Sequence, residues 1–176
     1  MNKSLPLGTL FGLRLSTLPN AILATGILWA VLAGAGFGLL HLTPFEAVVG
    51  GLLAALLHWV GEIWHQLGHA WAARWVGYPM QGVELWWIFG RSLYPSDEPR
   101  LPARVHIRRA LGGAPASLVL TLIGGVILVG VRDMYGVAYG LALFFFWENL
   151  LVFTLGAFLP LGFTDGSTLI RYWGKD

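Results

Sequence analysis

The sequence predicts an all-α polytopic membrane protein with about four transmembrane helices and a short membrane-associated β-hairpin after the second. Composition is the first reason. Of the 176 residues, 56% are hydrophobic and only 11% charged, with mean hydropathy +0.68, whereas a soluble domain runs to about 45–50% apolar and about 25% charged. The second is that four stretches approach the roughly 20 apolar residues needed to cross a bilayer. The third is the uneven placement of the basic residues.

Ala21–Leu40, "AILATGILWAVLAGAGFGLL", carries no charge. An uninterrupted apolar run of this length exceeds the roughly 7–15 residues of a signal-peptide core, so it is expected to remain as a span. Ala47–Ala73 is the second span. The following "QGVELWWIFGRSLYP" alternates Val83, Leu85, Trp87 and Phe89 before Gly90, the pattern of a short hairpin; Trp86 and Trp87 suit an interfacial aromatic belt equally well. Ala110–Val131 and Val137–Pro160 are the third and fourth spans. Tyr94–Arg109 is the longest polar segment, read as a loop that contacts anionic headgroups or lies over a site. No internal repeat, low-complexity tract or soluble domain is visible, so residues 1–176 form a single membrane domain. With no cysteine, disulfides and thiolate ligands are excluded.

With the N-terminus inside, Lys3, Arg14, Arg74, Arg91, Arg100, Arg104, Arg108, Arg109, Arg171 and Lys175 are all cytoplasmic, and only Arg132 of the 11 basic residues is outside. That asymmetry sets an orientation with both termini cytoplasmic, in a cell membrane. The second and fourth spans then end at the same face.

On the second span, His58, Glu62, His65 and His69 in "EIWHQLGHAWAARW" and the turns before it are spaced by four, three and four residues. They share one helix face and cannot face lipid. One reading is a polar network between helices. The other is a metal site, since histidines at i and i+4 reach one ion and a catalytic zinc uses three protein ligands. Asp165, after the helix-breaking Pro160 and Gly162, is the candidate third ligand, because irregular backbone at membrane depth lines protein or a polar cavity. Thr164-Asp165-Gly166 also reads as a simple capping turn. Bis-histidine haem ligation is a further possibility, against which the Asp-Gly break argues. Glu148, in "FFFWENLL", is expected to be paired deep in the bundle, with His58 as a candidate partner.

These residues resemble the site-2 protease family of intramembrane zinc metalloproteases. "HQLGHAWAARWVGY" is similar to its HExxH helix, "FLPLGFTDG" to its LP-x-x-P-x-DG segment, and "RRALGGAPASLVLTL" to the small-residue helix after its active-site loop. The resemblance implies a core over residues 46–176, with residues 1–45 as an additional N-terminal span. It implies zinc held by His65, His69 and Asp165, and a transmembrane protein or peptide as substrate. A sheet after the second span would align that substrate as an added strand. Glu62 and His58 are candidates for supporting the ligands, and no nucleic-acid partner is expected. Substrate-contacting residues and oligomeric state are not legible.

The chain departs from that pattern at three places. Ala157 stands where the family often has an asparagine, and Asn149 is about two helical turns away. Phe163 replaces the second proline. Above all, Gln66 occupies the general-base position, where glutamate is expected. An amide does not accept a proton, and general-base help is worth about 10²–10⁴-fold. The form shown is therefore expected to be inactive or strongly impaired. Gln66 reads as a silencing substitution, as the mark of a natural non-proteolytic membrane adaptor that keeps the metal site, or as a loss covered by Glu62.

Overall fold

The computed structural model describes residues 4–175. Lys3, counted above among the cytoplasmic cations, lies outside the described residues. Two strands, β1 (Leu5–Leu10) and β2 (Leu13–Thr17), precede helix α1 (Pro19–Leu39) and the long α2 (Pro44–Trp75). Then come β3 (Gly82–Trp86), β4 (Phe89–Leu93), α3 (Ala103–Ala110), α4 (Gly113–Gly130) and α5 (Val137–Glu148). A π-helical segment over Asn149–Leu155 and a short tight turn, Gly156–Phe158, lead to α6 (Asp165–Tyr172).

Four helical stretches are long and apolar enough to cross a membrane: Pro19–Leu39, Pro44–Trp75, Ala103–Gly130 and Val137–Phe158. They match the expected spans to within a few residues, except that the third begins earlier. α1 buries only Ala21, Ala24 and Gly36, leaving Ile22, Leu23, Ile27 and Val31 exposed, as a lipid-facing helix requires. α2 starts on a strong signal. Thr43 accepts from the Glu46 amide, Glu46 reaches back to the Thr43 amide, and Pro44 occupies the first turn.

Helices here approach through glycine. A Cβ on Gly68 would collide with the Gly112 carbonyl, and one on Gly112 with the Gly68 carbonyl, so α2 and the start of α4 cross almost backbone to backbone. Gly51 passes Ala33 in the same way, its would-be Cβ lying 2.6 Å from the Ala33 nitrogen. Where no hydrophobic force drives helices together, such close packing supplies the association.

The expected hairpin over 82–93 is present, but it is half of a larger sheet. The strand order is β1-β2-β3-β4, with β1–β2 and β3–β4 antiparallel and β2–β3 parallel. The N-terminal hairpin turns at Phe11 and Gly12, both with positive φ (50° and 81°). Leu13, Val83 and Leu85 then pack with Ala21, Ala70, Ala73 and Met80 in the core that joins the sheet to the ends of α1 and α2. Arg74 donates to the Phe11 carbonyl at 2.7 Å and Arg14 to Gln81 Oε1 at 3.0 Å. The sequence reading missed these strands because β1 is almost wholly exposed and the parallel partner of β2 lies more than sixty residues away.

Replacing Gly68 by alanine should destabilise the fold by about 1–3 kcal/mol, as overpacking does. Thermal unfolding in detergent checks this. Gly34→Ala, where a new Cβ meets nothing within 4 Å, should leave the midpoint unchanged or raise it, since alanine is the better helix residue.

Candidate metal centre

The fold brings His65, His69 and Asp165 together, with one ligand-type atom from each lying within 4.8 Å of the others. The two Nε2 atoms are 3.0 Å apart. Asp165 Oδ2 lies 3.4 Å from His65 Nε2, and Oδ1 lies 3.3 Å from His69 Nε2. A tetrahedral zinc with bonds of about 2.0–2.1 Å has ligand–ligand edges of about 3.3 Å. The two Asp165 distances, each to a different carboxylate oxygen, have that length, and the Nε2–Nε2 distance is about 0.3 Å shorter.

The backs of the rings are fixed. His69 Nδ1 lies 2.8 Å from the Arg109 carbonyl oxygen, which can only accept, so Nδ1 carries the proton and Nε2 turns a lone pair inward. His65 Nδ1 lies 3.0 Å from the hydroxyl of the fully buried Ser117. Asp165 Oδ2 is buried without a hydrogen-bond partner. Two imidazole nitrogens and an orphaned carboxylate oxygen converging in a buried space fit a cation; without one, acceptors face one another.

Local structure explains the convergence. The histidines share the stripe of α2. Gly113, at the break between α3 and α4, passes so close that a Cβ there would overlap both rings. Asp165 is the first residue of α6, with Thr164 as its extended N-cap. The turn thus starts α6 and at the same time sets Asp165 beside the two imidazoles. Gly166 follows because a Cβ there would collide with the Phe158 carbonyl.

The rest of the stripe serves the hairpin. His58 Nδ1 lies 2.7 Å from Glu148 Oε1, the expected pairing, and His58 Nε2 lies 2.8 Å from the Ile88 carbonyl in the β3–β4 turn. His58 thus braces α5 and the hairpin, and neither of its nitrogens is turned to the triangle. Gln66 Nε2 donates to Glu62 Oε1 and to the Gly90 carbonyl, each at 2.9 Å, and Gln66 Oε1 accepts from Ser92 Oγ at 2.9 Å. Both are buried. Asn149 is also fully buried, donating to the Phe145 carbonyl at 2.8 Å where the fourth span passes into π-helix.

Two cavities meet at this centre. One, of about 530 Å³, is the more polar and reaches Arg91, Glu98, His106 and Arg109. The other, of about 280 Å³, is apolar and runs along Leu151, Val152, Gly156 and Leu161. Gln66, His69, Gly90 and Asp165 line both. From α3, the buried Arg109 pairs with Glu98 of the loop after β4, donates to the Tyr78 carbonyl and stacks 4.0 Å over Tyr94. Ser117, Gly113, Ser92 and the Arg109 carbonyl were not singled out from sequence. Small or backbone groups leave no chemical signature until the fold places them.

No family model matches the sequence, and no curated protein matches it. Among solved structures, the site-2 protease from Methanocaldococcus jannaschii is similar in fold. Its TM-score is 0.64 at 18% identity, over 96% of this chain and 70% of that one.

The Arg109 guanidinium holds the Glu98 carboxyl below the usual carboxylate range. A carboxyl lowered on folding contributes stability above its unfolded value, about 4.3, and that contribution is lost as pH falls through the folded value. Amide exchange in residues 94–102, corrected for intrinsic rates, should therefore rise on acidification below that range. The Glu98→Gln variant should lack this pH dependence.

Proposed function

We propose that this chain is an intramembrane zinc metalloprotease in architecture, acting on transmembrane or membrane-proximal peptide bonds, whose hydrolysis is suppressed by Gln66. The observation that carries the reading is the His65–His69–Asp165 grouping, with the two Nε2 atoms 3.0 Å apart and one Asp165 oxygen 3.3 or 3.4 Å from each, beside two cavities. The similarity in fold to a solved site-2 protease supports it.

A zinc ion held there supplies Lewis-acid polarisation of a carbonyl and makes water a competent nucleophile near neutral pH. The chain supplies the remainder. The Arg109 carbonyl and Ser117 orient the two imidazoles. The polar cavity brings water from the side of the basic loop, the cytoplasmic side in the orientation proposed from the arginines. The apolar cavity accepts an unwound stretch of transmembrane helix, and the open edge of β4 offers backbone groups to hold it extended. At the place of the general base, Gln66 has no proton affinity to offer. Both of its polar atoms are already engaged, by Glu62, Gly90 and Ser92.

That engagement favours a second reading. A carboxamide with both donor and acceptor satisfied suits a chain that keeps the metal for stability and binds a membrane partner without cutting it.

Elemental mass spectrometry of the detergent-purified protein should find about one zinc per chain, the stoichiometry of a mononuclear site. Asp165→Ala and Gly113→Ala should each retain a small fraction of it. Protein without zinc, and indistinguishable from Asp165→Ala, would sink the metal site and the protease with it. With zinc retained, Gln66→Glu should raise cleavage of a transmembrane peptide by about 10²-fold or more if a base is all that is missing. No gain leaves the adaptor.

A further inference from the structure

The register of the hairpin decides which backbone groups of β4 are free. Trp86 pairs with Phe89, Glu84 with Arg91 and Gly82 with Leu93. In an antiparallel ladder, alternate residues turn their N–H and C=O to the partner strand. Phe89, Arg91 and Leu93 face β3, leaving Gly90 and Ser92 to face outward. β4 is the last strand of the sheet, so these outward groups form an open edge, the usual template for an added strand.

That edge is not vacant at Gly90. Its carbonyl accepts from Gln66 Nε2 at 2.9 Å, the bond that an amide N–H of an incoming strand would make. Gln66 Oε1 is held in turn by Ser92 Oγ at 2.9 Å. The Glu62 carboxylate lies against the Gly90 backbone, 2.7 Å from where a Cβ would stand. The Gln66–Gly90 bond also sits where the two cavities adjoin, since both residues line both cavities. An extended peptide running along β4 from the apolar to the polar cavity has to pass this point.

We infer that Gln66 is an internal plug on the peptide-binding edge: its carboxamide occupies the hydrogen-bonding position at Gly90 and must be displaced before a strand can add there. A glutamine here thus both lacks a base and competes with the peptide. Ser92 is the hydroxyl that keeps the plug seated. The inference extends the strand-binding part of the proposed function but needs neither zinc nor hydrolysis. Its failure would leave the metal triangle untouched.

The test uses the full chain in detergent and a fluorescein-labelled heptapeptide of alternating valine and threonine, followed by fluorescence anisotropy. A second peptide of the same sequence carries N-methyl groups on alternate amides and cannot donate to the edge. Gln66→Ala should bind the first peptide at least about tenfold more tightly than the parent, as loss of one competing buried hydrogen bond permits. Ser92→Ala should shift affinity in the same direction by less. Neither variant should gain affinity for the methylated peptide. A merely structural role for Gln66 would leave binding unchanged or weaken it. Unchanged or weaker binding by Gln66→Ala, or an equal gain with the methylated peptide, overturns the inference. If Gln66→Ala does not fold, Ser92→Ala decides alone, and no gain there overturns it.

Discussion

Placing polar groups inside an apolar bundle is the constraint on which the rest of this molecule depends. A histidine or carboxylate facing hydrocarbon costs several kcal/mol, so each member of the α2 stripe needs a partner. The fold supplies partners on two sides. His65 and His69 turn to Asp165, Ser117 and the Arg109 carbonyl. His58, Glu62 and Gln66 turn to Glu148, Ile88, Gly90 and one another. One helix face therefore does two jobs, and the sheet and the triangle are held at a fixed separation by the rise of α2.

The close approaches follow from the same constraint. For the rings to reach Asp165, α4 must begin against α2, which only Gly68, Gly112 and Gly113 permit. For Asp165 to reach the rings, the fourth span must end in π-helical and tight turns and fold back, which requires Gly166 beneath Phe158. Glycine is the commonest route to such proximity between backbones.

Much of this was legible in the sequence. The four spans came from hydropathy alone, and the His65, His69 and Asp165 grouping came from helical spacing and chain topology. Glu148 found the partner that its position in mid-span demanded. The remainder lacked a signal. Strands β1 and β2 carry only two alternating leucines each, β1 is exposed almost along its length, and the parallel partner of β2 is distant in sequence, so nothing local marks them as part of a larger sheet. Ser117 and Gly113 are ordinary residues of a small-residue helix until His65 and His69 are set beside them. Gln66 was legible as a departure from the glutamate that the resemblance implies but not as a hydrogen-bonding element, because its partners Gly90 and Ser92 lie 24 and 26 residues further on.

The parallel pairing of β2 with β3 has a consequence for how the chain assembles. Arg14 pairs with Gly82 and Thr17 with Leu85, across the whole of α1 and α2. Contacts of such long sequence separation form late, after the loop between them has been closed. During synthesis the N-terminal hairpin emerges first and waits, half-exposed, until two spans have entered the bilayer and returned to its starting face. Joining the strands then commits α1 and α2 to an antiparallel pair. The sheet acts as a clasp that registers the first two helices, His65 and His69 among them, before the chain that brings Asp165 arrives.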